Sequence, residues 1–280
     1  AVAAARRSGT PLLLDYACDL HLPGGWKGRA MEAAVFQGHL AAGRAARAIV
    51  VSTASYAEAS PFLSRFRGKV RIVPLTMRIP QPDPEAVSRF RERHASRGEA
   101  LIGFAGRMSS EKGIEVLLEA VRLLRRQGRA VRLLLAGDVH GVIGEQAYRQ
   151  RILAALESLG EACGVLGVVQ PDLSAFYAAC NVLVLPSLNS TESFGMVQAE
   201  AMLCGTPVVA SRLPGVREAV ESTGMGLMVE PGDAAGLASA ISTILDAPVR
   251  FQPTMDVVRH RFSAERSLDA FERVLRECAV

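Results

Sequence analysis

Aromatic residues are scarce in this chain: one tryptophan, four tyrosines and ten phenylalanines among 280 residues, 5% in all. Proteins that hold single-stranded nucleic acid stack bases on aromatic side chains interleaved with basic ones. Neither that interleaving nor a nucleic-acid-binding motif is present, so no nucleic-acid partner is expected. Long apolar runs are also missing. Stretches such as 133–136 and 182–185 fall far below the roughly 18–20 residues needed to span a bilayer, and no transmembrane segment is expected. The five cysteines, at 18, 163, 180, 204 and 278, show no Cys-x-x-Cys spacing and sit mostly among apolar neighbours. That pattern points to buried thiols in a reducing compartment, and the chain reads as cytosolic. No Gly-x-Gly-x-x-Gly follows a strand pattern, which removes a dehydrogenase reading, and no Asp-x-Asp metal motif occurs. No secretory signal is visible either; the chain opens at Ala1 inside a helix pattern over 2–7, and a segment is expected to be missing in front of it.

What is present is an alternation. Short apolar runs at 11–15, 48–52, 70–74, 101–105, 131–136, 164–169, 182–185 and 207–210 read as strands buried on both faces. Helix patterns lie between them at 30–47, 54–65, 84–93, 113–127, 146–158, 173–179 and 195–203. Such alternation gives parallel sheets covered on both sides, a doubly wound α/β fold with ligands at the carboxyl ends of the strands. A proline-rich break over 74–84, with Pro80, Pro82 and Pro84, reads as a linker. It divides the chain into residues 1–78 and 79–262, each of a length that buries its own core. The last helix pattern, 263–278, carries Leu268, Phe271, Val274 and Leu275 along one stripe.

Charge is unevenly placed. Residues 1–78 carry a formal +7 and the remainder −3. An ordinary basic face accounts for this as well as a functional one does; the functional reading is attraction to anionic lipid headgroups or to a pyrophosphate-linked acceptor.

The stretch Thr191-Glu192-Ser193-Phe194-Gly195-Met196-Val197-Gln198-Ala199-Glu200 follows a buried strand pattern closed by Pro186 and runs into a helix start. Free backbone N–H groups at Gly195, Met196 and Val197 would face an anion, and the helix dipole adds roughly 0.3–1 kcal/mol of attraction. Two carboxylates, Glu192 before the terminus and Glu200 within the helix, would flank a bound phosphate, one able to take a ribose and the other a hexose. A second cluster follows the strand pattern at 101–105: Gly106 lets the backbone approach a ligand, Arg107 can grip phosphate oxygens in parallel, and Lys112 supplies a mobile charge.

With these motifs in view, the sequence resembles the retaining family-4, or group 1, glycosyltransferases of the GT-B fold. The likeness rests on Glu192 and Glu200 with seven residues between them, on 204–211, on Pro214-Gly215-Val216-Arg217-Glu218, on 226–233, and on Gly106-Arg107 followed by Glu111-Lys112-Gly113. It covers about residues 48–280. The resemblance implies two Rossmann-like domains, the first truncated here, with residues 263–280 packing back toward the first. It implies that Arg107 and Lys112, with Gly106, Met196 and Val197, bind the donor diphosphate, that Glu192 is catalytic beside the hexose, and that Ser193, Phe194 and Gly195 line the sugar pocket. Glu200 then takes the ribose. The segments 137–141 and 168–170 fall where the family contacts the base, with backbone around Val169 reading uracil or guanine, and His140 is expected to be a polar loop residue. No cofactor or metal is implied, because Arg107, Lys112 and the helix dipole supply the positive charge. The donor would be a UDP- or GDP-type sugar, and the acceptor a glycan or lipid-linked molecule of bacterial polysaccharide type.

The amino-terminal region departs from the family. After the strand pattern at 11–15 the family carries a histidine beside an aspartate; here the register gives Ala17-Cys18-Asp19, with His21 nearby but shifted. Asp19 and His21 are the acceptor-side candidates, in a Gly-Pro loop that ends at Trp26. Two rivals stand beside the transferase reading: a non-catalytic sugar-nucleotide-binding module, and a sugar-nucleotide epimerase, which needs more acid and base groups than residues 1–78 offer.

Overall fold

The computed structural model describes residues 2–21, 25–96, 98–138, 145–169 and 173–279. Their strands form two all-parallel sheets. In the first lobe β1 (Leu13–Asp15), β2 (Ala48–Val51) and β3 (Val70–Ile72) pair in sequence order. In the second lobe β4 (Ala100–Ala105), β5 (Val131–Ala136), β6 (Cys163–Gly167), β7 (Val182–Leu185), β8 (Val208–Ser211) and β9 (Gly226–Val229) pair in the order β6-β5-β4-β7-β8-β9. The chain therefore builds outward from β4 on one side, then returns to β4 and builds outward on the other. The crevice at the carboxyl ends of β4 and β7 is the topological switch point, where open parallel sheets bind ligands.

Helices cover these sheets: α1 (Val2–Ser8), α2 (Gly25–Ala45), α3 (Ala54–Ala59), α4 (Pro84–His94), α5 (Ile114–Arg126), α6 (Gln146–Glu157), α7 (Leu173–Ala179), α8 (Met196–Leu203), α9 (Arg217–Thr223), α10 (Ala234–Asp246), α11 (Met255–Arg261) and α12 (Ala264–Ala279). The period-two geometry of a strand explains why the apolar runs are continuous. Ile102 and Phe104 of β4 pack with Leu117, Val121 and Ile241, on the α5 and α10 side, while Leu101 and Ala105 pack with Phe176, Ala199 and Val220, on the α7, α8 and α9 side. In the first lobe Ile49 and Val51 face Leu40, Tyr56 and Phe62, whereas Ala48 and Val50 face Ala270, Val274 and Cys278 of α12. The carboxyl-terminal helix thus closes the second face of the first sheet.

Several expectations change. A strand, β9, lies over Gly226–Val229 at the sheet edge, so the second sheet has six strands among the described residues rather than five. The helix expected over 54–65 stops at Ala59, because Pro61 forces Ser60 into an extended conformation, and a 3₁₀ segment, Leu63–Lys69, follows. Helix α2 starts at Gly25, so Trp26 belongs to a helix and is 71% exposed. In α12 the buried line is Ala270, Val274 and Cys278, while Leu268, Phe271 and Leu275 are exposed. Small side chains let the helix axis approach the sheet more closely than leucines would. The connector after β3 is irregular but anchored: Leu75, Met77 and Ile79 pack on the second lobe, the Met77 amide donates to the Phe262 carbonyl, and Asp83 caps α4 with Pro84 in its first turn.

Candidate functional site

The loops leaving β4 and β7 are pressed together at their bases. Gly113, at φ +64°, lies so close to the Pro186 carbonyl that a Cβ would sit 2.2 Å from its oxygen, and the Leu188 amide donates to the Glu111 carbonyl at 2.8 Å. This contact carries Lys112 to Glu192: its Nζ donates to Glu192 Oε2 at 2.5 Å, and the buried Ser187 hydroxyl donates to the same oxygen at 3.2 Å. The Lys112 and Glu192 side chains are only 19% and 13% exposed, which strengthens the attraction relative to a surface pair. Arg107 is 65% exposed, with Glu111 Oε1 at 3.6 Å, and the Ser109 hydroxyl holds that same carboxylate. Arg107 can therefore reach a ligand without leaving its partner unsatisfied.

Helix α8 begins at Met196, with Gly195 as a left-handed cap at φ +78° rather than as the first helical residue. A Cβ at Gly195 would lie 2.2 Å from Leu185 Cδ2, so glycine is required both for conformation and for space. No side chain caps this terminus, and the amides of Met196 and Val197 head the helix with the positive end of its dipole. Fully buried Gln198 holds the turn from behind, its Nε2 donating to the Phe194 carbonyl and, at 3.0 Å, to the Val216 carbonyl. Phe194 itself is a core residue, edge-on to Phe262. One helical turn further, Glu200 accepts a 2.7 Å bond from the Tyr177 hydroxyl. Burial, and then the Glu200 charge, push the Tyr177 phenol far above its ordinary range, so it stays a neutral donor.

Some of these residues line two cavities, with Met196 in the lining of one and Val197 in that of the other. The one of about 190 Å³ is walled by Gly106, Gly137, Val169, Tyr177, Val197 and Glu200. Its floor is tight, since a Cβ at Gly137, where φ is +141°, would lie 1.9 Å from the Gly106 oxygen. The other, about 500 Å³ between the lobes, is lined by Tyr16, Cys18, Glu192, Ser193, Gly195 and Phe271, among others. Arg107 and Lys112 line neither. Of the acceptor-side candidates, Asp19 is buried and accepts from the hydroxyls of Tyr16 and Ser60 at 2.8 and 2.9 Å, with the Tyr56 hydroxyl at 3.1 Å. It does not line the cavity between the lobes. His21 Nε2 meets the Ser190 hydroxyl at 2.8 Å, joining the first lobe to the loop that carries Glu192. Both border a third cavity of about 370 Å³ against α2.

The profile of the family described as "Glycosyl transferases group 1" matches residues 99–247, which include both loops and both glutamates. The chain belongs to the group 1 glycosyl transferases. Among curated relatives, a D-inositol 3-phosphate glycosyltransferase of Pseudarthrobacter chlorophenolicus is 31% identical over 207 residues, 73% of this chain and 48% of that one. A glycogen synthase of Mycobacterium tuberculosis is 32% identical over 178 residues, 63% of this chain and 41% of that one. The chain spans about half the length of these relatives or less. Among solved structures, Anabaena HepE in complex with UDP superposes with a TM-score of 0.81 at 23% identity, over 98% of this chain and 75% of that one. Sucrose-phosphate synthase of Thermosynechococcus elongatus superposes at 0.78 with 26% identity, over 98% and 70%. The fold is that of the GT-B glycosyltransferases, α/β with parallel sheets.

Within this family frame, sequence reasoning did not reach Ser187, Tyr177 or Gln198, which hold Glu192, Glu200 and the α8 cap. Ser187 was legible as a polar residue closing a buried strand; Tyr177 and Gln198 lie in apolar helix patterns that give no such signal. Val139, His140, Gly141 and Gln170, expected near the base, and Leu22, Pro23 and Gly24 of the acceptor loop lie outside the described residues.

Proposed function

We propose that the chain carries the donor site of a retaining, metal-independent hexosyltransferase, of family 4, that moves a hexose from a nucleotide diphosphate sugar to a glycan or lipid-linked acceptor of bacterial polysaccharide type. The observation that carries this reading is the placing of Lys112 and Glu192 together at the switch point beside the uncapped terminus of α8, with Glu200 one turn away in a separate cavity. The smaller cavity takes ribose and base, with Glu200 accepting from the ribose hydroxyls and Val169 beside the base. Diphosphate lies across Gly106 and the amides of Met196 and Val197, with Arg107 and Lys112 reaching it. The hexose then enters the cavity between the lobes, near Glu192, Ser193, Phe194 and Gly195. The crystal complexes of Anabaena HepE with UDP and with UDP-glucose favour a uridine donor.

On this reading the bond between the anomeric carbon and the β-phosphate oxygen breaks as the acceptor oxygen bonds to the same face of that carbon, and the departing phosphate takes the acceptor proton. Arg107, Lys112 and the helix dipole stabilise the charge on the leaving group, and Glu192 stabilises the oxocarbenium-like carbon. Residues 1–78 form the acceptor domain, with Asp19 holding the loop that presents His21; residues 79–262 form the donor domain, and 263–280 tie the two together. The basic first lobe, with exposed Trp26, Met31, Lys27 and Arg29 at the start of α2, favours peripheral contact with the cytoplasmic face of an anionic membrane. No helix among the described residues is long and apolar enough to cross one.

Calorimetric titration with UDP, GDP and ADP, alongside Glu200→Ala, tests the donor site. Selective binding of one diphosphate, weakened in the variant, supports the reading. Absence of binding by all three overturns it.

A further inference from the structure

A second set of contacts between the lobes lies away from the donor cavities. Glu218 of α9 reaches across to the first turn of α3, where its Oε1 accepts from both the amide and the hydroxyl of Ser55 at 2.7 Å. The Ser55 hydroxyl in turn accepts from the Gly215 amide at 2.8 Å. Helix α3 has no cap of its own, since the Thr53 side chain makes no capping bond, and Glu218 caps it from the opposite lobe. Arg261, 3.9 Å from Glu218 Oε2 and held by the Ser222 hydroxyl, supports the carboxylate from behind. Ser55 is buried, and the Glu218 and Arg261 side chains, 23% and 12% exposed, border a cavity of about 620 Å³, so these bonds are partly shielded from water.

The contact continues to the donor loop. Gly215, at φ +84°, packs so tightly that a Cβ would lie 2.0 Å from the Ser193 oxygen and 3.0 Å from Thr53 Oγ1. Gln198 clamps the same two segments, bridging the Phe194 and Val216 carbonyls. A shift of Ser55 relative to the second lobe must therefore displace residues 215–216, and with them the backbone of Ser193 beside Glu192. Close-packed segments without intervening space move together.

We infer that Glu218 and Ser55 form an interlobe clasp that positions the loop carrying Glu192, making Glu218 a positioning residue for the donor sugar. For its ligand this rests on the donor-site reading above; for its geometry it does not. A merely local role for Glu218 would affect α3 and α9 but not the 189–196 loop.

The test uses Glu218→Ala, Ser55→Ala, the double variant and Glu218→Gln, whose amide oxygen can still accept from Ser55. Amide hydrogen exchange over 189–196 and calorimetric affinities for UDP and UDP-glucose are read on each. The clasp predicts exchange in 189–196 raised about tenfold in each alanine variant, about 1.4 kcal/mol of local stability. UDP-glucose affinity falls about tenfold with UDP within about twofold, the double variant is no worse than either single, and Glu218→Gln stays close to the parent. Exchange changes confined to 53–57 and 213–219, additive losses, or equal weakening of UDP and UDP-glucose would overturn it. If the parent protein binds neither nucleotide, the donor reading fails and the exchange pattern alone decides the clasp.

Discussion

Lys112 Nζ lies 2.5 Å from Glu192 Oε2, although the two residues are 80 positions apart in the chain. Nothing local pairs them; the adjacency of β4 and β7 in the sheet does, by setting the two following loops side by side. A donor diphosphate would compete with Glu192 for Lys112, and a donor hexose would take up the carboxylate that Lys112 releases. Glu192→Ala is expected to abolish sugar transfer while UDP affinity stays within a few-fold, because the diphosphate keeps Arg107, Lys112 and the α8 terminus. The folding cost should be about 1–2 kcal/mol, below the 3–5 of a fully buried pair broken on one side. Turnover at the parental rate would remove the proposed role for Glu192.

Arg107 is exposed, and its nearest carboxylate, Glu111, keeps the Ser109 hydroxyl when the arginine is removed. Arg107→Ala should leave the unfolding midpoint within about 0.5 kcal/mol of the parent. UDP affinity should fall by about 1.5–3 kcal/mol, a charge-assisted bond's worth, with a smaller loss for UMP. Equal losses for UDP and UMP, measured by calorimetry, would place the guanidinium away from the β-phosphate.

The tightest backbone approach in the cavity proposed to take the nucleotide is that of Gly137 to Gly106, where an added Cβ would meet carbonyl oxygen at 1.9 Å. Gly137→Ala combines that overlap with a φ of +141°, which L-residues rarely adopt. Separation of β4 from β5 at their carboxyl ends should cost at least about 2 kcal/mol and weaken UDP binding. Gly128→Ala is the control, with φ also positive at +78° but nothing within 4 Å, and should cost only about 1 kcal/mol. Similar denaturation midpoints for the two variants would contradict the close approach.

How far the sequence reveals this architecture differs by element. Strands β4, β5, β7 and β8 are apolar on both faces apart from Arg132 in β5 and Ser211 at the end of β8, and such runs are legible because burial on both sides leaves few polar positions. Strand β9 is only half-buried at the sheet edge, and its short Gly226–Val229 run between glycine and proline carries no comparable signal. In α12 periodicity suggests a stripe of Leu268, Phe271, Val274 and Leu275, of which only Val274 is buried; the sheet takes Ala270 and Cys278 beside it, a choice made by the distance between layers and invisible in one helix alone. The loops bearing Arg107, Lys112 and Glu192, and the helix bearing Glu200, are legible because each loop follows a readable strand and the helix has a readable pattern. The Ser55–Glu218 contact spans 163 positions and two lobes, with no local pattern at either end.

All four tyrosines are buried, and each hydroxyl is bonded to a carboxylate: Tyr16 and Tyr56 to Asp19, Tyr148 to Glu115, and Tyr177 to Glu200. Burial comes first in all four, followed in Tyr16 and Tyr148 by the hydrogen bond to the facing carboxylate and in Tyr177 by the Glu200 charge, and every one of these phenols is raised well above the ordinary range. Burial also pushes the thiols of Cys163, Cys180 and Cys204 up to about 12. Unfolded, a cysteine ionises near 8.5 and a tyrosine near 10, so above those values the unfolded chain sheds protons that the native chain retains. Stability from these groups is then fully present below about pH 8 and is lost as pH rises, by up to about 1.4 kcal/mol per pH unit for each titrating group. Guanidinium midpoints measured from pH 8 to pH 11 should fall, with the steepest decline above pH 10. Tyrosinate absorbance should emerge with unfolding rather than before it. Phenols that titrate near pH 10 in a chain still folded would show that the hydroxyls reach water, and would remove Tyr177 as the fixed donor that orients Glu200.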